Sequence, residues 1–230
     1  MHLINDHRLR SALGVALWLF SSAQMFGAFV ESDGFVVVEA ENFVSQTTAS
    51  GHAWIATNDV AGFVGTSAMC AVPNTGVSLN AVSSSPSLTY AVQLTNAGTF
   101  KVWIRAWAAT GSDDSFYLGV DGSDAQSVSF SHTSAWVWKS VSVTIANAGT
   151  HQINLWMRED GAYVDRFLLT RSSSYTPTGD GPPESAPGIN ITYPLPGATF
   201  PAGSSVLVNA ELKDEAGKIV RFQRGRGTTR

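Results

Sequence analysis

Two glutamates one residue apart, Glu39 and Glu41 in the run FVVVEAENF, and a distant aspartate, Asp165 in YVDRFLLT, are the carboxylates of this chain best placed to do chemistry. Both runs are apolar, rich in β-branched residues and of strand length, so a carboxylate buried there without a partner would cost several kcal/mol. Side chains alternate along a strand, which puts Glu39 and Glu41 on one face. Two carboxylates from an opening strand and one from a closing strand would neutralise a hard cation, and Ca²⁺ takes oxygen ligands of this kind. The competing reading is a solvated strand face.

A second set of residues is aromatic. In TFKVWIRAW, Phe100, Val102, Ile104 and Ala106 share one face, and Lys101, Trp103, Arg105 and Trp107 share the other. In THQINLWMR, Ile153, Leu155 and Met157 form the apolar face and leave Trp156 and Arg158 opposite. Trp136 and Trp138 have the parity of Ser140 and Ser142. Indoles beside arginines on a non-core face suit sugar recognition, because a pyranose face stacks on indole while cations and amides bond the hydroxyls or an acid group. Apolar patches rimmed by polar groups mark binding surfaces. The alternative is that these indoles lie under loops or on the inner face of another sheet.

Enzymatic signals are thin. Asp113-Asp114 and Glu159-Asp160 are sequence neighbours, whereas a glycosidase pair faces its bond from separate elements. His52, His132 and His151 have no HExxH-type spacing, and no G-x-S-x-G elbow occurs. A net charge of −4 gives no basic excess for nucleic acid or an anionic membrane.

The elements that must hold these residues are short strands. From about Phe35 to Thr170 the chain alternates apolar and polar residues between turn signals, and only 14% of the whole chain is charged. Asn96-Ala97-Gly98 and Asn147-Ala148-Gly149 are equivalent turns and predict two hairpins built alike. Many short strands of this kind predict an all-β sandwich or jelly roll. Cys70 is the single cysteine, which rules out an intramolecular disulfide.

At the N-terminus, Arg8 and Arg10 precede the apolar run ALGVALWLF, and Ser21-Ser22-Ala23 supplies small residues for cleavage, with Ala28 a second position. The apolar run is shorter than the roughly 20 residues a spanning helix needs, so residues 1–28 are expected to be a secretory signal. Residues 172–188 are rich in Ser, Pro and Gly and predict a linker. Residues 189–230 return to β-patterning, with too few strands to close a sandwich.

The segment from about Gly34 to Thr170, within a module expected to span residues 29–171, resembles the carbohydrate-binding modules of families 6 and 35, including the related C-terminal domain of family-115 glycoside hydrolases. The resemblance is carried by VVEAENF, GFVGTSAM with AVPNTG, GSDDSFYLGVDG, the AWVW pair, AGTHQINLWMRED and AYVDRFLLT. YPLPGATFPAGSSVLVNA resembles the opening of bacterial Ig-like repeats, which makes 189–230 a truncated Ig-like domain. The module resemblance implies a galactose-binding-like β-jelly-roll with a structural calcium held by Glu39, Glu41 and Asp165. It also implies a ligand site in loops at one edge, built on an aromatic pair. Trp136 stands where one family aromatic is found, and Trp54 in GHAWIATND is a further candidate. The chain departs from the family where an asparagine often precedes the aspartate by two, since Tyr163 stands there, and Arg158, Glu159 and Asp160 crowd the same loop.

The reading is a secreted, non-catalytic, monomeric module that binds polysaccharide or glycan, with calcium as a structural cofactor and no nucleic-acid or membrane partner. The alternatives are an adhesive exoprotein domain that binds protein or matrix, and a fragment of a polysaccharide-degrading enzyme.

Overall fold

The computed structural model describes residues 27–188, together with the backbone of short strands between residues 190 and 228. The predicted signal, except Gly27 and Ala28, lies outside the described residues. The first unit is built from strands β1 (Phe29–Val30), β2 (Phe35–Glu39), β3 (Ser45–Thr47), β4 (Ala53–Thr57), β5 (Ala68–Val72) and β6 (Ser87–Leu94). They are followed by β7 (Gly98–Trp107), β8 (Ser115–Val120), β9 (Ser123–Ser129), β10 (Val137–Ile145), β11 (Gly149–Met157) and β12 (Tyr163–Thr170).

One six-stranded sheet runs β1-β6-β11-β8-β9, with β3 also paired to β6. The other runs β10-β7-β12-β5-β4, with β2 also paired to β12. Their facing sides bury one continuous core that includes Phe29, Tyr90, Phe100, Ile104, Phe116 and Ile153. This is the expected all-β jelly-roll sandwich.

The two Asn-Ala-Gly turns do not close hairpins. β6 and β7 lie in different sheets, as do β10 and β11, so each turn carries the chain from one sheet to the other. The segments are instead wound against each other as one antiparallel ribbon. Ala106 faces Val137 and Gly98 faces Ile145 in one sheet, and across the corner Leu94 faces Gly149 and Ser87 faces Trp156 in the other. Gly98 and Gly149 close the turns at φ 127 and 137, a region L side chains avoid.

Alternation fails in β2 and β12, which are buried on both faces. Two features explain this. First, β12 carries a bulge at Asp165, because Val164 faces Ala106 while Arg166 already faces Arg105. The extra residue resets the parity of the rest of the strand, so Val164, Phe167 and Leu169 all point into the core. Second, residues 172–188 are a strap bound to this sheet. Trp138 Nε1 donates to Gly179 O at 3.0 Å, and Arg166 Nη1 donates to Asp180 O at 2.6 Å and Pro182 O at 2.9 Å. Ser185 then exchanges hydrogen bonds with Val37 on the free edge of β2, and Gly188 N donates to Ala28 O at 2.7 Å. A Pro- and Ser-rich composition predicts an unattached linker, but backbone groups satisfied at an open strand edge hold this segment in place.

In the predicted Ig-like region, β13 (Asn190–Tyr193), β15 (Asn209–Lys213) and β16 (Ile219–Gln223) form a small antiparallel sheet. β14 (Ser205–Val206) pairs with β17 (Gly227–Thr228). Side chains there lie outside the described residues.

Candidate functional site

The three predicted metal-binding carboxylates stand at one edge of the β2/β12 sheet. Glu39 and Glu41 share the outer side while Val38 and Ala40 face the core, as the alternation requires. Each carboxylate already has partners. Glu39 takes a bidentate pair from Arg166 Nε and Nη2. Asp165 Oδ2 accepts from Arg105 Nη1 at 2.6 Å, and its Oδ1 accepts from Val64 N at 2.8 Å. Glu41 Oε1 accepts from Thr66 N, Thr66 Oγ1 and Ser67 N, while its Oε2 is buried without a hydrogen-bond partner. The loop before Thr66 packs directly on these groups. A Cβ on Gly65 would come within 2.5 Å of Glu41 Oε1, so a side chain there would have to push the carboxylate aside, and φ 76 adds strain for any residue but glycine.

Burial pushes the Glu39 carboxyl up to about 7, with the Arg166 hydrogen bond and charge pulling the other way. Burial also lifts Glu41 against the Thr66 amide, and lifts Asp165 against Arg105. Among the described residues no three His, Cys, Asp or Glu side chains converge on a point that would hold a metal ion. A calcium needs several free oxygens, and here only Glu41 Oε2 is free of a donor. The residues as they stand do not fit the cage.

Next to this edge the outer face of the same sheet opens into a groove of about 820 Å³. Its floor is Trp103 and Arg105 of β7, with Trp136 just before β10 and Trp138 near its start. Its walls are the Ala61–Gly62 loop and the strap from Thr176 to Asp180. Each element is placed by a hydrogen bond from the floor. Trp136 Nε1 donates to Ala61 O at 3.0 Å, Arg105 Nη1 to Gly62 O at 2.9 Å, and Arg105 Nη2 to Asp180 Oδ1 at 2.9 Å. Lys101 Nζ lies 5.3 Å from the centre of the Trp103 ring, and Trp103 Nε1 is a buried donor with no acceptor. The groove therefore offers indole surface and a cation, and two of its lining residues keep a buried N–H donor without an acceptor, Trp103 Nε1 and Arg105 Nε.

The predicted ligand residues are not brought together. Trp136 lines the groove and is half-buried. Trp54 does not meet solvent. It is 2% exposed in β4, part of the core, and its Nε1 donates to Pro86 O at 3.2 Å, so neither ring face is available to a sugar. Asp160 is fully buried and accepts from Thr75 N, Thr75 Oγ1, Val77 N and His52 Nε2. Burial alone would raise it, but the Thr75 and Val77 amides hold it below the usual carboxylate range. It staples two loops and has no acceptor left for a ligand.

Arg158 is partly exposed and lies outside the groove lining, with Nη1 donating to Ser115 Oγ at 2.6 Å and to Glu159 Oε1 at 2.8 Å. Tyr163 packs edge-on against Trp107, ring centres 5.2 Å apart, and lies outside the groove lining. Burial lifts its hydroxyl to about 12. Trp156 sits on the other sheet, packed against Gly119. The reading of the sequence missed Asp180 and the strap wall entirely, because nothing in SSSYTPTGDGPPE signals attachment to a sheet.

Comparison with known proteins adds the family. An uncharacterized protein of Formosa agariphila is 27% identical over 232 residues, covering 75% of this chain and 56% of the relative. The chain thus spans little more than half of that relative's length. Among solved structures, a β-(1,4)-mannanase of Podospora anserina that carries a family 35 carbohydrate-binding module is similar at TM-score 0.47 and 19% identity, over 64% of this chain and 29% of that one. A family 35 module from Cellvibrio japonicus gives TM-score 0.46 and 17% identity, over 60% and 94%. The C-terminal family 6 module of a laminarinase from Zobellia galactanivorans gives 0.44 and 16%, over 60% and 99%. A family profile matches residues 28–184, from the start of β1 through most of the strap, and so takes in both walls of the groove. By that match this chain belongs to the family described as the glycosyl hydrolase family 115 C-terminal domain.

Proposed function

We propose that this domain is an exported, non-catalytic module that binds a polysaccharide or glycan chain in the groove of Trp103, Arg105, Trp136 and Trp138. The observation that carries the reading is the groove itself, an open trough with indoles on its floor and a guanidinium between them. Pyranose rings stack on such surfaces, and the surrounding N–H groups bond hydroxyls. The family's name ties these domains to glycoside hydrolases, and the solved structures named above include carbohydrate-binding modules. Support for export comes from the N-terminal sequence alone.

The non-catalytic part rests on the carboxylates. Hydrolysis of a glycosidic bond uses two carboxyl groups flanking it, roughly 5–10 Å apart. Among the described residues that line the groove, Asp180 is the one carboxylate, and Arg105 holds it. Within a longer protein, the module would keep a partner domain near its substrate and raise the effective concentration.

Affinity electrophoresis of the full chain through a panel of soluble polysaccharides tests the reading. Retardation by at least one polysaccharide is expected, with loss of about 2 kcal/mol, roughly thirtyfold in affinity, in Trp136→Ala. No retardation by any polysaccharide, or full binding by folded Trp136→Ala, overturns it. Release of reducing ends from the bound polysaccharide would overturn the non-catalytic part.

A further inference from the structure

We propose that Arg105 and Arg166 stand in the place of a divalent cation at the β2/β12 edge, and that the fold holds its shape there without calcium. A hard cation is held by several oxygens at once, from carboxylates and backbone carbonyls. Arg105 gathers that set by itself. Its Nη1 bonds both Gly62 O, in the loop, and Asp165 Oδ2, in the β12 bulge, and its Nη2 bonds Asp180 Oδ1, in the strap. Arg166 engages both oxygens of Glu39 and adds the carbonyls of Asp180 and Pro182.

The charges match as well. Two guanidinium groups carry the double positive charge of one divalent ion, and at 7% and 2% exposure both are buried beside the carboxylates they neutralise. Guanidinium does not lose its proton in proteins, and its fixed fork suits bidentate carboxylate pairing. A metal bound here would have to displace N–H donors from Asp165, Glu39 and Gly62 O, and would then sit against two cations of which only Arg105 keeps another carboxylate, Asp180. Glu41 is the residue left over. Its Oε1 is satisfied by the Thr66–Ser67 amides and the Thr66 hydroxyl, and a single remaining oxygen does not make a calcium site.

The substitution has a consequence for the groove, because Arg105 is also its floor. One side chain fixes the loop wall through Gly62, fixes the strap wall through Asp180, and lies over Trp136. Arg105 is therefore a positioning residue that a chelator cannot remove.

Thermal melts of the full chain, stripped with EGTA and then supplied with millimolar calcium, decide the matter. The proposal expects the two wild-type transitions to coincide and calorimetry to show no calcium uptake by the stripped protein. A transition that falls by several degrees in EGTA and recovers with calcium overturns it. Arg105→Met keeps the aliphatic stem and frees Gly62 O, Asp165 and Asp180. This variant should melt lower than wild type and should gain a calcium-dependent rise of several degrees that wild type lacks. A lowered melt that calcium leaves unmoved overturns the claim that the arginine occupies the cation's place. Should Arg105→Met fail to fold, the wild-type melts and calorimetry still decide.

Discussion

The guanidinium carbon of Arg105 lies 5.4 Å from the centre of the Trp136 ring, while the indole nitrogen of Trp136 donates to Ala61 O at 3.0 Å. The ring is thus held by a cation and by a hydrogen bond that both come from the protein itself. Side-chain ordering that precedes binding does not have to be supplied by the ligand. Trp136→Phe should keep a stacking surface but lose the Ala61 anchor. Isothermal titration with a retained polysaccharide should show weaker affinity than wild type but stronger than Trp136→Ala. Equal affinities for the Phe and Ala variants would mean that the anchor and the ring cannot be separated.

Trp54 gives the opposite signature. It is one of the largest fully buried side chains, and Trp54→Ala should cost about 3–5 kcal/mol of stability. A denaturant titration should move its midpoint well below wild type, while the folded fraction binds polysaccharide normally. A small stability change with lost binding would return Trp54 to the ligand site.

Asp160→Asn tests the loop staple. The amide keeps the shape but turns an NH₂ group toward donors from Thr75, Val77 or His52, and each buried donor left without an acceptor costs about 1–3 kcal/mol. The melt should fall by several degrees with affinity per folded molecule unchanged. Lost affinity at an unchanged melt would make Asp160 a ligand contact.

A pH dependence arises from His151 and Asp121, whose Nδ1 and Oδ2 are 2.8 Å apart. The hydrogen bond to Asp121 raises the histidine above its ordinary 6.5. For Asp121, burial pushes up, but the Gln152 amide and His151 prevail and hold it below 3.8. A raised histidine contributes stability that is complete below about 6.5 and is lost as pH rises through its folded value. A lowered aspartate contributes stability that is present above about 3.9 and is lost as pH falls through its own. The melting difference between wild type and His151→Gln should be largest between these limits and should vanish by mildly alkaline pH. A difference that persists unchanged at alkaline pH rules the ion pair out as its source.

Ending the chain after Arg171 tests the strap. Val37 and Leu168 are 1% and 0% exposed on the outer side that the strap covers. The shortened chain should melt lower and should bind a hydrophobic dye that the full chain excludes. An unchanged melt would reduce the strap to a passive tether.

Strands, their inward faces and the jelly-roll class are legible in the sequence because alternation reports burial directly, as in Phe100, Val102 and Ile104. The destination of a strand after a tight turn is not legible. Asn-Ala-Gly specifies a positive φ and a reversal, and the same residues serve a hairpin or a step between sheets. Trp54 and Ile55 show a second limit. They are adjacent and apolar, yet Trp54 is buried and Ile55 is 44% exposed, since a short edge strand carries too few residues to fix its phase. Partners set by long-range folding are the hardest to read. Arg166 meets Glu39 across 127 positions of sequence, and Asp180 meets Arg105 across 75. Trp136 is legible because it lies on a polar face beside a strand start, which is a local property.

The ribbon of β6–β7 against β10–β11 has one register from Ala106–Val137 to Ser87–Trp156, straight through both Asn-Ala-Gly corners. Those corners are therefore a single unit for inheritance and for engineering. A residue gained at one, unanswered at the other, would slide half the ribbon by one step and turn Phe100 or Tyr90 outward. Matched insertions in both would preserve every facing pair. Libraries that vary one corner alone should be almost barren, and those that vary the two in concert should yield folded clones.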